Sequence, residues 1–224
     1  MKYILAISMA AAILPAAAQD KAVFDGYESY YATRPDRLFR TPGVELTPYA
    51  IEGEDGVRHG WQGQVNGRVQ RVELKDGQVR INGRRLPAQR IHIFPGESIS
   101  DTGLGMGTTA FFAKGWVCLE NTPSSASGMA VRHQMVYLIK PTAKGLEAWK
   151  LPSLFGRCAG VRQRGQTIVV DEARMRYAPG QDWPSGVTVK AYAIRGQAFV
   201  PANGGWSGTF TEPDNVYKFS VDQP

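Results

Sequence analysis

The chain has 224 residues, with 26 Lys and Arg against 20 Asp and Glu, two Cys, 25 Gly and 14 Pro. That length suits one large domain or two small ones, and two cysteines exclude a disulfide-dense miniature scaffold. A net charge of +6 with no basic stripe interleaved with exposed aromatics excludes a dedicated nucleic-acid interface, so no nucleic acid is expected as partner.

The N-terminus reads as a secretory signal peptide over residues 1–18. Lys2 supplies a positive start, Ile4 to Leu14 is apolar, Pro15 breaks the run, and Ala16 and Ala18 provide the small residues that precede cleavage before Gln19. At about eleven residues the run is too short to span a bilayer, which takes about 20. No later stretch approaches that length, so no stable membrane insertion is expected, and a periplasmic or secreted location follows. Lys2 is the sole charged residue removed, which leaves the mature chain at +5. The excess is spread along the sequence, with its densest groups at Arg80, Arg84, Arg85 and Arg90 and at Arg157, Arg162 and Arg164.

Residues 19–56 read as an N-terminal arm and loop. Phe24, Tyr27 and Tyr31 fall at helical spacing, and Pro35 limits any helix to about three turns; a short helix and an extended arm are both compatible with this pattern. The tract from Thr41 to Gly56 is rich in Pro, Gly and acid. Residues 57–224 read as a single all-β domain, an antiparallel sandwich or barrel of short strands. Arg68 to Leu74 ends at Asp76-Gly77 and Gln78 to Ile81 ends at Asn82-Gly83, both dipeptides that accept the positive φ of tight hairpins. Arg90 to Phe94 continues this meander, with Ile91 and Ile93 on one face and His92 towards solvent. Thr109 to Glu120 reads as one long strand rich in aromatic and branched residues. In the strand from Ala130 to Lys140, Val136, Tyr137, Leu138 and Ile139 are apolar on both faces, which predicts a central position. Gly145 to Leu151, Gln166 to Tyr177, Val187 to Ile194, Gln197 to Val200, Trp206 to Thr211 and Asn215 to Val221 complete the strands.

Cys118 and Cys158 form the one possible intramolecular pair, and export favours the disulfide. Neither belongs to a C-x-x-C motif, so the bridge is assigned no chemistry. Gly103, Gly105 and Gly107 make a glycine loop, but the following Ala110-Phe111-Phe112 reads as strand rather than the helix a phosphate cradle requires. His59, His92 and His133 lack metal-ligand spacing, Glu52, Glu54 and Asp55 fall short of a calcium loop, and no G-x-S-x-G is present. No metal and no cofactor are therefore expected. Ser124 to Ser127 reads as an adaptable loop.

Asp101-Thr102-Gly103 resembles the active-site tripeptide of retroviral-type aspartic proteases, and Leu154-Phe155-Gly156-Arg157 loosely resembles their second element. That resemblance implies a homodimeric β fold with Asp101 as catalytic acid and base. It covers fewer than ten residues. Ser98-Ile99-Ser100 stands where apolar residues belong, and Leu104 where a small one does.

Trp183 and Trp206 sit in glycine-rich stretches that read as loops, where a tryptophan is less readily explained as core. With the turn at Arg162 and Arg164 they form the expected recognition surface. The sequence therefore predicts an exported binding protein, such as an inhibitor or immunity-type protein that neutralises an envelope-targeted enzyme. Its partner would be a protein or an anionic envelope component. The alternative is a cell-envelope hydrolase whose catalytic residues are assembled only by the fold.

Overall fold

A computed structural model describes residues 21–51, 56–98, 103–121 and 132–222. The expected signal segment with its junction at Gln19, the acidic residues Glu52, Glu54 and Asp55, the tripeptide residues Asp101 and Thr102, and residues 124–127 lie outside the described residues.

In chain order the elements are β1 (Val23–Asp25), α1 (Tyr27–Ala32), β2 (Val44–Glu45), β3 (Thr47–Tyr49), β4 (Arg58–Val65), β5 (Arg68–Lys75), β6 (Gln78–Ile81), β7 (Arg84–Arg85) and β8 (Ile91–Ile93). Then come β9 (Thr109–Ala113), β10 (Trp116–Asn121), β11 (Met135–Thr142), β12 (Gly145–Lys150), β13 (Arg162–Arg164), β14 (Thr167–Tyr177), β15 (Pro184–Arg195), β16 (Ala198–Phe210) and β17 (Lys218–Asp222). The fold is all-β, in three sheets. An outer sheet runs β3-β4-β5-β6-β7, a central sheet β2-β9-β10-β11-β12-β8, and a helix-side sheet β1-β17-β16-β15-β14-β13.

Side-chain alternation stacks these sheets. Val117, Leu119, Tyr137, Ile139 and Ala148 of the central sheet pack with Val72, Leu74, Val79 and Ile81 of the outer sheet. On the opposite face, Cys118, Val136, Leu138 and Trp149 meet Ile168 and Val170 of the helix-side sheet. The central sheet is thus covered on both faces, which is why β11 is apolar at consecutive positions. On its other face the helix-side sheet presents Val187, Val189, Phe210 and Phe219, sealed by Tyr27, Tyr30 and Tyr31 of α1 and by Phe155. The arm between 23 and 49 contributes one strand to each sheet.

Several expectations change. Both suggestions for the arm hold in part: Phe24 belongs to β1, opposite Phe219, and α1 itself is only six residues long. The strand read over Thr109 to Glu120 is a hairpin that turns at Lys114-Gly115, with φ of 48° and 78°. β8 leaves the meander and joins the central sheet, parallel to β12. Its His92 is therefore half-buried against Trp149, with its Nε2 2.9 Å from Glu147 Oε1. The two strands read around Trp206 are one, β16, because Asn203-Gly204-Gly205 is absorbed as an irregularity in its pairing with β15.

Cys118 in β10 and Cys158 in a short 3₁₀ turn (Cys158–Gly160) are bonded, with Cα atoms 5.8 Å apart. The bridge ties the central sheet to the segment beneath α1.

Candidate functional site

The residues expected to form one recognition surface are separated by the fold. Trp183 is 63% exposed at the turn between β14 and β15. Arg164 lies at the other end of β14, where it pairs with Thr167, and eleven residues of strand span on the order of 35 Å. Arg164 donates from Nε to Asp36 and from Nη1 to the Asn203 carbonyl, each at 2.8 Å. Gly204 permits this approach, since a Cβ there would lie 2.6 Å from the guanidinium.

Arg162 and Trp206 are brought together, with Arg162 fully buried and Trp206 partly buried. Arg162 is 1% exposed and donates to Asp171 Oδ1, while Tyr31 Oη donates to Asp171 Oδ2 at 3.0 Å. Trp206 sits between the ring of Tyr30 at 4.3 Å and that of Phe219 at 5.5 Å. Burial pushes the Asp171 carboxyl above its ordinary value, against the pull of Arg162 and Tyr31. This cluster fastens α1 to the helix-side sheet. Its charged groups face no solvent, so it offers a partner nothing to grip.

The surface that gathers chemistry lies elsewhere, at the end of the molecule where the β9–β10 turn stands between the edges of all three sheets. On one side is a depression of about 510 Å³. Asn66, Arg68, Gln70 and Asn82 line it from the outer sheet, and Phe112, Lys114, Trp116 and Pro141 from the central sheet. On the other side a second depression of about 390 Å³ shares Asn66, Phe112, Ala113 and Lys114. Asp36, Arg37, Arg40 and Gln163 line it from the helix-side edge. Together they form a trough with Lys114 at its centre.

The turn chemistry explains why these side chains meet. Asn66-Gly67 joins β4 to β5 with φ of 50° and 74°, and Lys114-Gly115 has the same handedness. Both are two-residue turns matched to strand twist, so they hold their tips at fixed places. Lys114 is anchored further by donating to Gln163 Oε1 at 2.8 Å.

Electrostatically the trough is predominantly basic, with Asp36 as the one acid in its lining. Lys140 lies over the Trp116 ring, 4.9 Å from its centroid, and Arg84 donates to the Thr142 carbonyl at 3.0 Å beside Pro141. Arg37 and Arg40 donate to the backbone carbonyls of Arg40, Arg37 and Pro35. Carbonyls satisfy these donors without cancelling their charge. Among the described residues no carboxylate pairs with Arg37, Arg40, Arg68, Arg84, Lys114 or Lys140. The nearby acids are committed elsewhere. Asp36 is partly buried, yet Arg164, Arg162 and Arg34 hold its carboxyl below the usual range. Glu147, opposite Lys140 in register, contacts His92. Folding therefore gathers part of a charge excess that is dispersed in sequence.

Sequence reasoning missed this trough because the pair Arg37 and Arg40, Arg68 and Lys114 come from three distant parts of the chain. The signal available was Lys114-Gly115, a turn without the usual Asn or Asp. The three histidines do not converge, and no group of His, Cys, Asp and Glu among the described residues has the arrangement of a metal site. His133 Nδ1 lies 2.8 Å from Ser153 Oγ, but Ser153 is buried and its amide donates to Glu97. No family model, curated protein or solved structure matches the chain.

Proposed function

We propose that this chain is an exported binding protein that holds an anionic ligand in the trough around the β9–β10 turn. The observation that carries the reading is the meeting of Arg37, Arg40, Arg68 and Lys114, none paired with a carboxylate among the described residues, on a concave surface lined by Phe112 and Trp116, with Lys140 and Arg84 beside it. Uncompensated like charges repel one another, and a ligand of opposite sign relieves that repulsion. The aromatic floor adds apolar contact area and the amides of Asn66 and Gln70 add directional hydrogen bonds, as in many ligand sites. Export agrees with the N-terminal pattern and with the Cys118–Cys158 bridge. No helix among the described residues is long and apolar enough to cross a membrane.

The envelope-hydrolase alternative rests on the His133–Ser153 contact, a hydroxyl and an imidazole at general-base distance. The buried position of Ser153 favours a structural role for that pair. The test is capture of ligand from the cell envelope by the mature protein and by its Arg68→Glu/Lys114→Glu variant. The proposal expects the variant to lose the captured species. Equal capture by both proteins contradicts it, and loss on Ser153→Ala instead would favour the hydrolase.

A further inference from the structure

The second depression of the trough has an open strand edge along one wall. β2 pairs antiparallel with β9 through Val44↔Ala110 and Glu45↔Thr109, and Leu46 N–H donates to the Thr108 carbonyl at 2.8 Å. Alternation of an antiparallel ladder then points the peptide groups of Thr108, Ala110 and Phe112 towards β2. The residue in register with Phe112 is Pro42, which has no N–H to give. Before Pro42 the chain has already turned to the other sheet. Leu38 N–H donates to the Val161 carbonyl at 2.9 Å, and Gln163 N–H to the Asp36 carbonyl at 2.7 Å. The stretch between 38 and 44 thus crosses from the helix-side edge to the central edge. It leaves a gap of about 390 Å³ against Phe112 and Lys114, with Arg37, Arg40 and Asp36 on the facing side, the last of these held by Arg164.

We propose that an extended acidic segment of a partner polypeptide adds to β9 in this gap. Its backbone pairs with the Phe112 amide and carbonyl, and its carboxylates meet Arg37, Arg40 and Lys114. The inference rests on the binding role proposed above and narrows it to a protein ligand. Strand addition takes affinity from backbone hydrogen bonds and selectivity from alternate side chains. In an added strand, acidic residues at alternate positions stand on one face about 7 Å apart. A polyanionic glycan could satisfy the cations, but it offers no amide–carbonyl pair at strand spacing.

The experiment titrates the mature protein with an octapeptide alternating Glu and Thr, with the same peptide N-methylated at alternate backbone amides, and with polygalacturonate. Exchange of the Phe112 amide is followed in parallel. Strand addition predicts that the unmodified peptide binds at least tenfold more tightly than the methylated one and slows exchange at Phe112. Equal affinity of the two peptides, with Phe112 exchange unchanged, overturns strand addition while the cationic trough stands. Binding of polygalacturonate alone also overturns it, in favour of a glycan. Absence of binding by all three polyanions overturns both this inference and the reading on which it rests.

Discussion

Two carboxylates in this protein respond to folding in opposite directions, and each has a measurable consequence. Glu73 in the outer sheet is nearly buried, which raises its carboxyl. The Tyr49 hydroxyl at 2.5 Å and the guanidiniums of Arg71 and Arg58 outweigh that effect and hold it below the usual value. A depressed folded value gives stability that is complete above the unfolded value, near pH 4.5, and lost as pH falls through the folded one. Glu73→Gln is expected to cost about 1.5–3 kcal/mol at neutral pH and to flatten the loss of stability below pH 4.5, as read by denaturant titrations across pH. Asp171 has the reverse sign. Burial raises it, so its contribution is complete below the unfolded value and declines as pH rises through the folded one. Its role at neutral pH is to neutralise Arg162, which it contacts directly while Asp36 acts on that guanidinium only from farther off. Asp171→Asn leaves that guanidinium buried and unpaired, and is expected to destabilise by about 3–5 kcal/mol. The paired change Arg162→Met/Asp171→Leu is expected to cost clearly less. A double variant as unstable as the single one would contradict this account of the pair.

At the scale of elements, the strands that bury both faces were legible in the sequence and the turn that builds the trough was not. Val136 to Ile139 announced a central strand because two opposed cores demand apolar residues at every position. Asp76-Gly77 and Asn82-Gly83 announced hairpins because Asp and Asn tolerate positive φ, and the structure turns at both. Lys114 adopts the same backbone without that tolerance, so the β9–β10 hairpin read as uninterrupted strand. Trp206 misled for the converse reason: Gly204 and Gly205 mark a pairing irregularity in a long strand rather than a loop. The disulfide joins elements 40 residues apart, and the chain-entropy model gives it about 4 kcal/mol. Reduction is expected to lower the melting temperature markedly while leaving binding in the trough unchanged below that temperature. The bridge lies in the inner core and lines neither depression, although Trp116 and Ala113 of the trough pack against that core. Loss of binding on reduction of a still-folded protein would show that the trough depends on the bridge.

For the whole molecule, stacking three sheets brings their edges together at one end, where Arg37, Arg40, Arg68 and Lys114 meet. A net charge of this size, evenly spread, would act on any polyanion weakly and from every side. Concentrated around Lys114, it acts at one place and is sensitive to salt. The most direct test holds net charge constant and moves the change. The affinity of polyglutamate is measured for the unaltered protein, for Arg68→Glu/Lys114→Glu in the trough, and for Lys190→Glu/Arg195→Glu on the exposed surface of β15. The account predicts that the trough variant loses at least tenfold in affinity, while the β15 variant, with the same net charge, keeps most of it. Equal losses in the two variants would show that polyanions respond to overall charge alone, and would contradict a binding site at the β9–β10 turn.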